Sequence, residues 1–342
     1  MAAFPPPTAV TRRAAVTISD VARAAGVSTA TVSKALNGRS DVSAATRARI
    51  EAVARELGFS PNQLARSLPT GRSFSVGLMT TDSYGRFSIP LLLGAEDGLG
   101  SGDVAVLFCD TRDDVERERR QLKALLGRHV DGIIVNGRRT EARAPLPGRL
   151  PVPVVYAYCA SADPGDCSVV PDEAGGVRQA IDHLAAAGRR RIAHVTGPKR
   201  HRSAAVRARA VRARTRAAGG RVVGDVRFGA WSERWGRDAA AALVDDFPDL
   251  DAVFCGSDQI ARGVMDGMRS AGRWVPDDVM IVGFDNWAPM ALGCEPQLTT
   301  VDMNIGEIGR LAAQYLLDAI DGSPHPGTTV VPATLVVRGS AP

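Results

Sequence analysis

From residue 74 to the end of the chain, short apolar runs alternate with amphipathic segments, and that order restricts the fold more than any other feature of the sequence. Strands are predicted at 75–79, 104–109, 132–135, 152–156, 191–196, 252–255, 279–284 and 334–337. Helices are predicted between them, among others at 113–126, 174–187, 203–218, 259–271 and 305–320. Parallel neighbours are joined through crossover helices, so strand-helix-strand order implies parallel sheets with helices on both faces. This many units exceeds one comfortable core and predicts two lobes. Ligands of such α/β folds bind beyond the carboxyl ends of the strands, which makes the strand-to-helix loops the place to look.

The first 73 residues read differently. Ile18, Val21, Ala22 and Ala25 recur at helical spacing behind Thr17, and Asp20 stands where a capping box has its second partner. Gly26 stops this helix. Ser28 caps a second run, 29–36, with Val32, Ala35 and Leu36 inward, and Asn37-Gly38 is expected to end it in a left-handed turn. Ser43 caps a third helix, whose Ile50, Val53, Ala54 and Leu57 form an apolar stripe ahead of Gly58. Two short helices joined by Ala25-Gly26-Val27 make a helix-turn-helix, and three helices of this size share one all-α core. Residues 1–16, with three prolines and Arg12-Arg13, are expected to be a disordered arm.

Charge separates the same two regions. Residues 1–73 carry ten Lys/Arg against four Asp/Glu, a net of +6, while the chain as a whole is +5, so the remaining residues sum to −1. A basic head on a neutral body suits a polyanion, since neutralising phosphates releases counterions and supplies affinity. A merely solvated basic face is the bland alternative on charge alone.

The stretches TISDVARAAGVSTATVSKALNG at 17–38 and VSAATRARIEAVARELGFSPNQLARSL at 42–68 resemble the DNA-binding head of the LacI/GalR (lactose-repressor/galactose-repressor) family. That resemblance implies a second helix lying in the major groove of operator DNA. Thr29, Ala30 and Lys34 then match the family's base readers, Ser28, Thr31 and Ser33 suit phosphate oxygens, and Thr17 and Asn37 are also expected on DNA. Residues 63–73 resemble the family's hinge, which places Asn62, Ala65 and Arg66 on DNA and pushes Leu68 into the minor groove as a lever. Pro69 departs from the common pattern and is expected to stop the hinge helix right after that lever.

The resemblance continues through the body, in DGIIVNG at 131–137, GSDQIARGVMDGMRSAG at 256–272 and VPDDVMIVGFDN at 275–286. It implies a periplasmic-binding-protein-like effector domain over 74–342, with lobe one at 74–159 and 302–327 and lobe two at 160–301 and 328–342. Positions matching the family's ligand contacts are Asp82, Tyr84, Phe87, Asn136 and Tyr158 in lobe one, and Arg207, Trp231, Ser257 or Asp258, and Asp285 in lobe two. The run VRARAVRARTRAAG departs from the family pattern around Ala210 and Val211, which leaves Arg209 and Arg212 as rivals of Arg207. A flat aromatic among Arg, Asn and Asp suits a sugar, and a purine or nucleoside would use nearly the same residue types.

Other functions find little support. The five cysteines, an odd number with no CxxC pair, read as buried thiols rather than a disulfide framework or zinc site. The five histidines lack metal spacing, and neither a GxSxG elbow nor a phosphate loop occurs, so no enzyme, cofactor or metal is expected. His194, at the end of an apolar strand, reads as a core residue. No apolar run approaches a membrane span, and no secretory signal precedes the head, which counts against a free solute-binding protein. A cytoplasmic homodimer binding an operator and a small-molecule effector, most simply as a repressor, is the resulting expectation.

Overall fold

The structure, a computed structural model, describes residues 16–36, 41–59, 71–100 and 104–342. It divides into two units, Met1–Ser73 and Phe74–Pro342.

In the head, α1 (Ile18–Ala25), α2 (Thr29–Leu36) and α3 (Ala44–Leu57) begin and end where their local chemistry directs. Asp20 accepts from both the amide and the hydroxyl of Thr17, at 3.0 and 2.7 Å. Ser28 Oγ accepts the Thr31 amide and Ser43 Oγ the Thr46 amide, satisfying donors that the first helical turns leave over. Gly26 and Gly58 take the left-handed conformation at the helix ends. Val21, Ala22, Ala25, Val32, Ala35, Ile50 and Ala54 close a single core. Arg47 donates to the Ala35 carbonyl at 2.6 Å and so ties α3 to the end of α2. Leu57, expected in the apolar stripe, is 39% exposed in the last turn of α3. Asn37-Gly38 and the hinge residues Asn62, Ala65, Arg66 and Leu68 lie outside the described residues.

The body begins with β1 (Ser75–Thr80), α4 (Ser88–Leu99), β2 (Ala105–Asp110), α5 (Val115–Gly127), β3 (Gly132–Asn136), β4 (Val154–Ala157) and β5 (Cys167–Pro171). Next come α6 (Glu173–Ala186), β6 (Arg191–Thr196), α7 (Arg202–Ala217), the short β7 (Arg221–Val222) and β8 (Arg227–Phe228), α8 (Glu233–Asp246) and β9 (Ala252–Cys255). The chain closes through α9 (Asp258–Ser270), β10 (Met280–Phe284), α10 (Ala288–Ala291), β11 (Thr299–Asp302), α11 (Ile305–Ile320), β12 (Gly327–Val331) and β13 (Thr334–Val336). One sheet runs β12-β5-β4-β3-β1-β2 and is parallel throughout. The other runs β13-β11-β10-β9-β6-β7, with β8 also on β6, and only β13 is antiparallel.

These orders correct the expected lobe boundaries. Residues 160–171 were expected in lobe two, but Cys167–Pro171 hydrogen-bonds to β4 and belongs to the first sheet. Residues 328–331 likewise pair with β5 rather than joining lobe two. The chain therefore crosses between lobes after 171, after 302 and after 331. The middle crossing delivers α11 to the first lobe, where it packs on α4, β3 and β4.

Two helix pairs weld the lobes internally. In lobe one a Cβ at Gly94 of α4 would run into the carbonyl oxygen of Gly306 in α11, and in lobe two a Cβ at Gly263 of α9 would meet the carbonyl of Glu233 in α8. Glycine permits each backbone to rest on the next.

Candidate functional site

On the head, Thr29, Ala30 and Lys34 are exposed along one side of α2, whose opposite side carries the buried Val32 and Ala35. Ser28 is exposed and Thr31 half-buried, their hydroxyls 2.8 Å apart at the helix start. Ser33 is half-buried. Thr17 is exposed at the start of α1. Lys34 Nζ lies 2.5 Å from Asp41 Oδ2, with both side chains about half exposed, so this pair stabilises the head little and yields at small cost to a stronger acceptor.

In the body, the strand-to-helix loops of the two lobes meet around a cavity of about 320 Å³. Lobe one supplies Tyr84, Arg86 and Phe87 after β1, Arg138, Arg139 and Thr140 after β3, and Tyr158 after β4. Lobe two supplies His201, Ser203 and Arg207 from α7 and its approach, Trp231, Ser257 and Asp285. Seven of the positions picked from sequence thus line one cavity: Tyr84, Phe87, Tyr158, Arg207, Trp231, Ser257 and Asp285.

Aromatic rings form the sides. Phe87 stacks on Tyr158 at 4.7 Å, and burial pushes the Tyr158 phenol well above its ordinary range, keeping it neutral. Trp231 lies parallel to the His201 imidazole and donates its indole N–H to His201 Nδ1 at 2.8 Å. That bond makes Nδ1 the acceptor and leaves the ring's proton on Nε2. Gly197 makes room for the indole, since a Cβ there would overlap the Trp231 ring.

The floor is ionic and buried. Arg207 donates through Nε and one terminal nitrogen to Glu173 Oε1, at 3.1 and 2.8 Å, and through the other to the Gly256 carbonyl at 2.5 Å. Its guanidinium also lies 3.7 Å above the Phe284 ring and 4.0 Å from Asp285 Oδ1. Arg207 and Glu173 are 3% and 2% exposed, so each charge depends on the other. Arg86 crosses from lobe one to pair with Asp285 and with Gln259 Oε1, and burial lowers its pKa. Thr140 donates to Glu173 Oε2 at 3.1 Å, and Glu141 accepts the Arg202 amide at 2.9 Å. Four hydrogen bonds therefore hold the lobes together across the cavity. Tyr158 and Asp285 both have positive φ, at +68° and +114°, outliers of a kind that concentrates at binding sites.

Three expected contact residues are occupied elsewhere. Asp82, buried, accepts the Phe87 and Ser88 amides at 2.7 and 3.0 Å and so caps α4. Asp258, also buried, accepts the Thr300 hydroxyl and the Trp287 amide, and desolvation raises its carboxyl to about 6. Neither lines the cavity. Asn136 is fully buried and donates to Thr80 Oγ1 at 3.1 Å. Conversely, Arg86, Arg138, Arg139, Thr140, Glu173 and His201 were not selected from the sequence. Of the rival arginines, only Arg207 is buried toward the cavity, while Arg209 and Arg212 are exposed on the other side of α7.

The comparisons with known proteins bear on the head and the body separately. Residues 17–62 match the model described as bacterial regulatory proteins of the lacI family, and residues 181–341 that of a periplasmic binding protein-like domain. The chain is 34% identical to the HTH-type transcriptional regulator CelR of Thermobifida fusca over 341 residues, covering 96% of this chain and 99% of that one. It is 34% identical to the ribose operon repressor of Escherichia coli K12 over 316 residues, covering 89% and 93%. A lac repressor dimer bound to operator and an anti-inducer superposes with a TM-score of 0.73 at 26% identity, over 96% and 99% of the two chains. A CelR–cellobiose complex superposes at 0.66, with 31% identity over 95% and 99%. The chain belongs to the LacI family of bacterial regulatory proteins. It is a DNA-binding transcription regulator, not an enzyme, and among the described residues no helix is long and apolar enough to cross a membrane.

Proposed function

We propose that this chain is a cytoplasmic, homodimeric repressor released from, or locked onto, its operator by a carbohydrate bound between the two lobes of the body. The observation that carries the reading is the interlobe cavity, where an indole face and a stacked Phe87–Tyr158 pair stand over paired guanidinium and carboxylate groups. The rings cover the apolar face of a sugar, and Arg207 with Asp285 takes neighbouring hydroxyls. Relatives with sugars in their names, the ribose operon repressor and the CelR–cellobiose complex, support the same class.

In the head, Thr29, Ala30 and Lys34 read base edges in the major groove, and Thr17, Ser28, Thr31 and Ser33 hold phosphate oxygens. Asn37, Asn62, Ala65, Arg66 and Leu68 complete the DNA contacts through the second helix's end and the hinge.

A ligand acts here by exchange. Arg86, Asp285 and Arg207 already bond to one another or to nearby groups, so an entering hydroxyl replaces an existing partner and changes which bonds bridge the lobes. Only a difference in affinity between the lobes' two arrangements can then shift the grip on DNA, and DNA must shift ligand affinity by the same factor. A thermal-shift screen of neutral sugars, sugar phosphates, aldonates, nucleosides and purines tests the reading, because a ligand of the folded state raises its unfolding midpoint. A carbohydrate that raises the midpoint and changes operator affinity supports it. A response to nucleosides or purines alone would overturn it.

A further inference from the structure

We infer that the effector is an anionic carbohydrate, bearing a carboxylate or a phosphate, and that Arg138 is the residue that selects it. The inference rests on the sugar-site reading above and deepens it.

The cavity is lined by four arginines but a single carboxylate, Asp285. Two of the four are already balanced. Arg207 is matched by Glu173, and Arg86 by Asp285, in the manner of groups prepared for neutral hydroxyls. The remaining two, Arg138 and Arg139, are adjacent in the loop after β3. Arg139 comes no nearer than 3.8 Å to Asp113. Arg138, half-buried, has no carboxylate within ion-pair reach among the described residues, while its backbone amide is pinned to Thr81 Oγ1 at 2.9 Å. A cation is thus held at the cavity wall by its main chain and left without a counter-charge by its surroundings.

The excess belongs to the cavity lining itself, where four guanidinium groups meet one carboxylate. Arg202 adds a fifth guanidinium through its contact with Glu173, and Glu141 and Asp113 add carboxylates. Five cations against Asp113, Glu141, Glu173 and Asp285 leave one positive charge, and the next carboxylate, Asp114, lines the second cavity but not this one. The same two arginines also border a second cavity, of about 480 Å³, at the carboxyl ends of β1, β2 and β3. There the other arginines are matched, Arg119 by Glu116 and Arg143 by Glu118. Arg138 and Arg139 thus border both cavities, and of the two the interlobe cavity is the one lined by a single carboxylate. Across the cavity, His201 presents Nε2–H as a neutral donor, and its pKa is lowered first by burial and then by the nearby Arg139. One anionic group between Arg138 and His201 would be held by a charge-assisted hydrogen bond on one side and a neutral one on the other.

The test is calorimetric titration of the full-length protein with matched sets: glucose, gluconate and glucose 6-phosphate; cellobiose and cellobionate; ribose and ribose 5-phosphate. At least one anion is expected to bind about tenfold more tightly than its neutral parent, an advantage of the size that one desolvated charge pair supplies. The advantage should shrink as NaCl rises from about 50 to about 500 mM. Arg138→Gln should reduce it to about threefold or less, and Arg138→Lys should keep most of it. Aldonates and phosphates separate the two sources of charge. A neutral parent binding as well as its anions, or an advantage unchanged in Arg138→Gln, overturns the inference and leaves the sugar reading standing. Failure of every carbohydrate, charged and neutral, overturns both.

Discussion

The exposed face of α2 and the interlobe cavity hold their candidate side chains in opposite ways. On α2, Thr29 and Ala30 stand in solvent, and Lys34 makes only an exposed ion pair that water screens. In the cavity, the buried Arg207, Glu173 and Asp285 and the largely buried Arg86 are bonded to one another before any ligand arrives. A side chain waiting in water loses little when replaced and gains its partner on binding. A side chain already spent on the fold can signal only by changing partners. Function in the head is therefore separable from stability, and in the cavity the two are joined.

Four measurements would break or sharpen that contrast. Arg207→Ala should destabilise the body by about 3–5 kcal/mol in chemical denaturation, because it strands a buried carboxylate. Thr29→Ala should stay within about 0.5 kcal/mol; similar losses in the two variants would end the contrast.

Acid should separate the regions next. His194 is fully buried, its Nδ1 2.9 Å from the Phe254 carbonyl, and burial lowers its pKa to about 4. The unfolded chain takes up that proton from about pH 6.5 downward. Stability present above that pH is therefore lost as pH falls toward 4, amounting to about 3 kcal/mol at the limit. Asp258, raised to about 6, works in the opposite sense, since its protonation relieves a buried charge as pH falls. His194→Gln should consequently lose less stability than the parent between pH 7 and 5, and an identical loss would remove His194 from the account. The head contains no histidine, so its melting should be flat over the same range.

Lys34→Ala should cost about 1–3 kcal/mol in operator binding and much less on nonspecific DNA, measured by fluorescence anisotropy at fixed salt. An equal loss on both would make Lys34 a phosphate contact. Thr17→Ala should cost about 1 kcal/mol through the capping box of α1. A larger loss in operator affinity than in stability would show Thr17 on the phosphate backbone.

The same contrast explains what was legible in the sequence. The head's helices are set by local caps and stops, such as Thr17 with Asp20, Ser43 with Thr46, and Gly26. All of these are visible in a linear reading. In the body, strand-helix alternation revealed the architecture, yet 167–171 was missed as a strand of lobe one because its short CSVVP run follows a turn-rich stretch and ends at proline. Trp231, Arg207 and Asp285 were selected by their match to the family's ligand positions, and all three line the cavity. Arg86 and Glu173 were not, since their roles depend on partners such as Asp285, which is 199 positions from Arg86. Asp82 and Asp258 show the converse error. Asp82 caps the helix that follows it, whereas Asp258 is held by Thr300 and Trp287, partners that no linear reading supplies.

The glycine contacts between α4 and α11, and between α8 and α9, set backbone directly on backbone at those points, with little room to slide or compress. Each lobe is therefore stiff in the engineering sense, and compliance resides in the three strands of backbone that pass between them. Work done by a ligand at the cavity cannot dissipate as local deformation of either lobe. It reaches the far edge of each sheet as a rotation about those three crossings, so a displacement too small to alter either core becomes larger with distance from the axis.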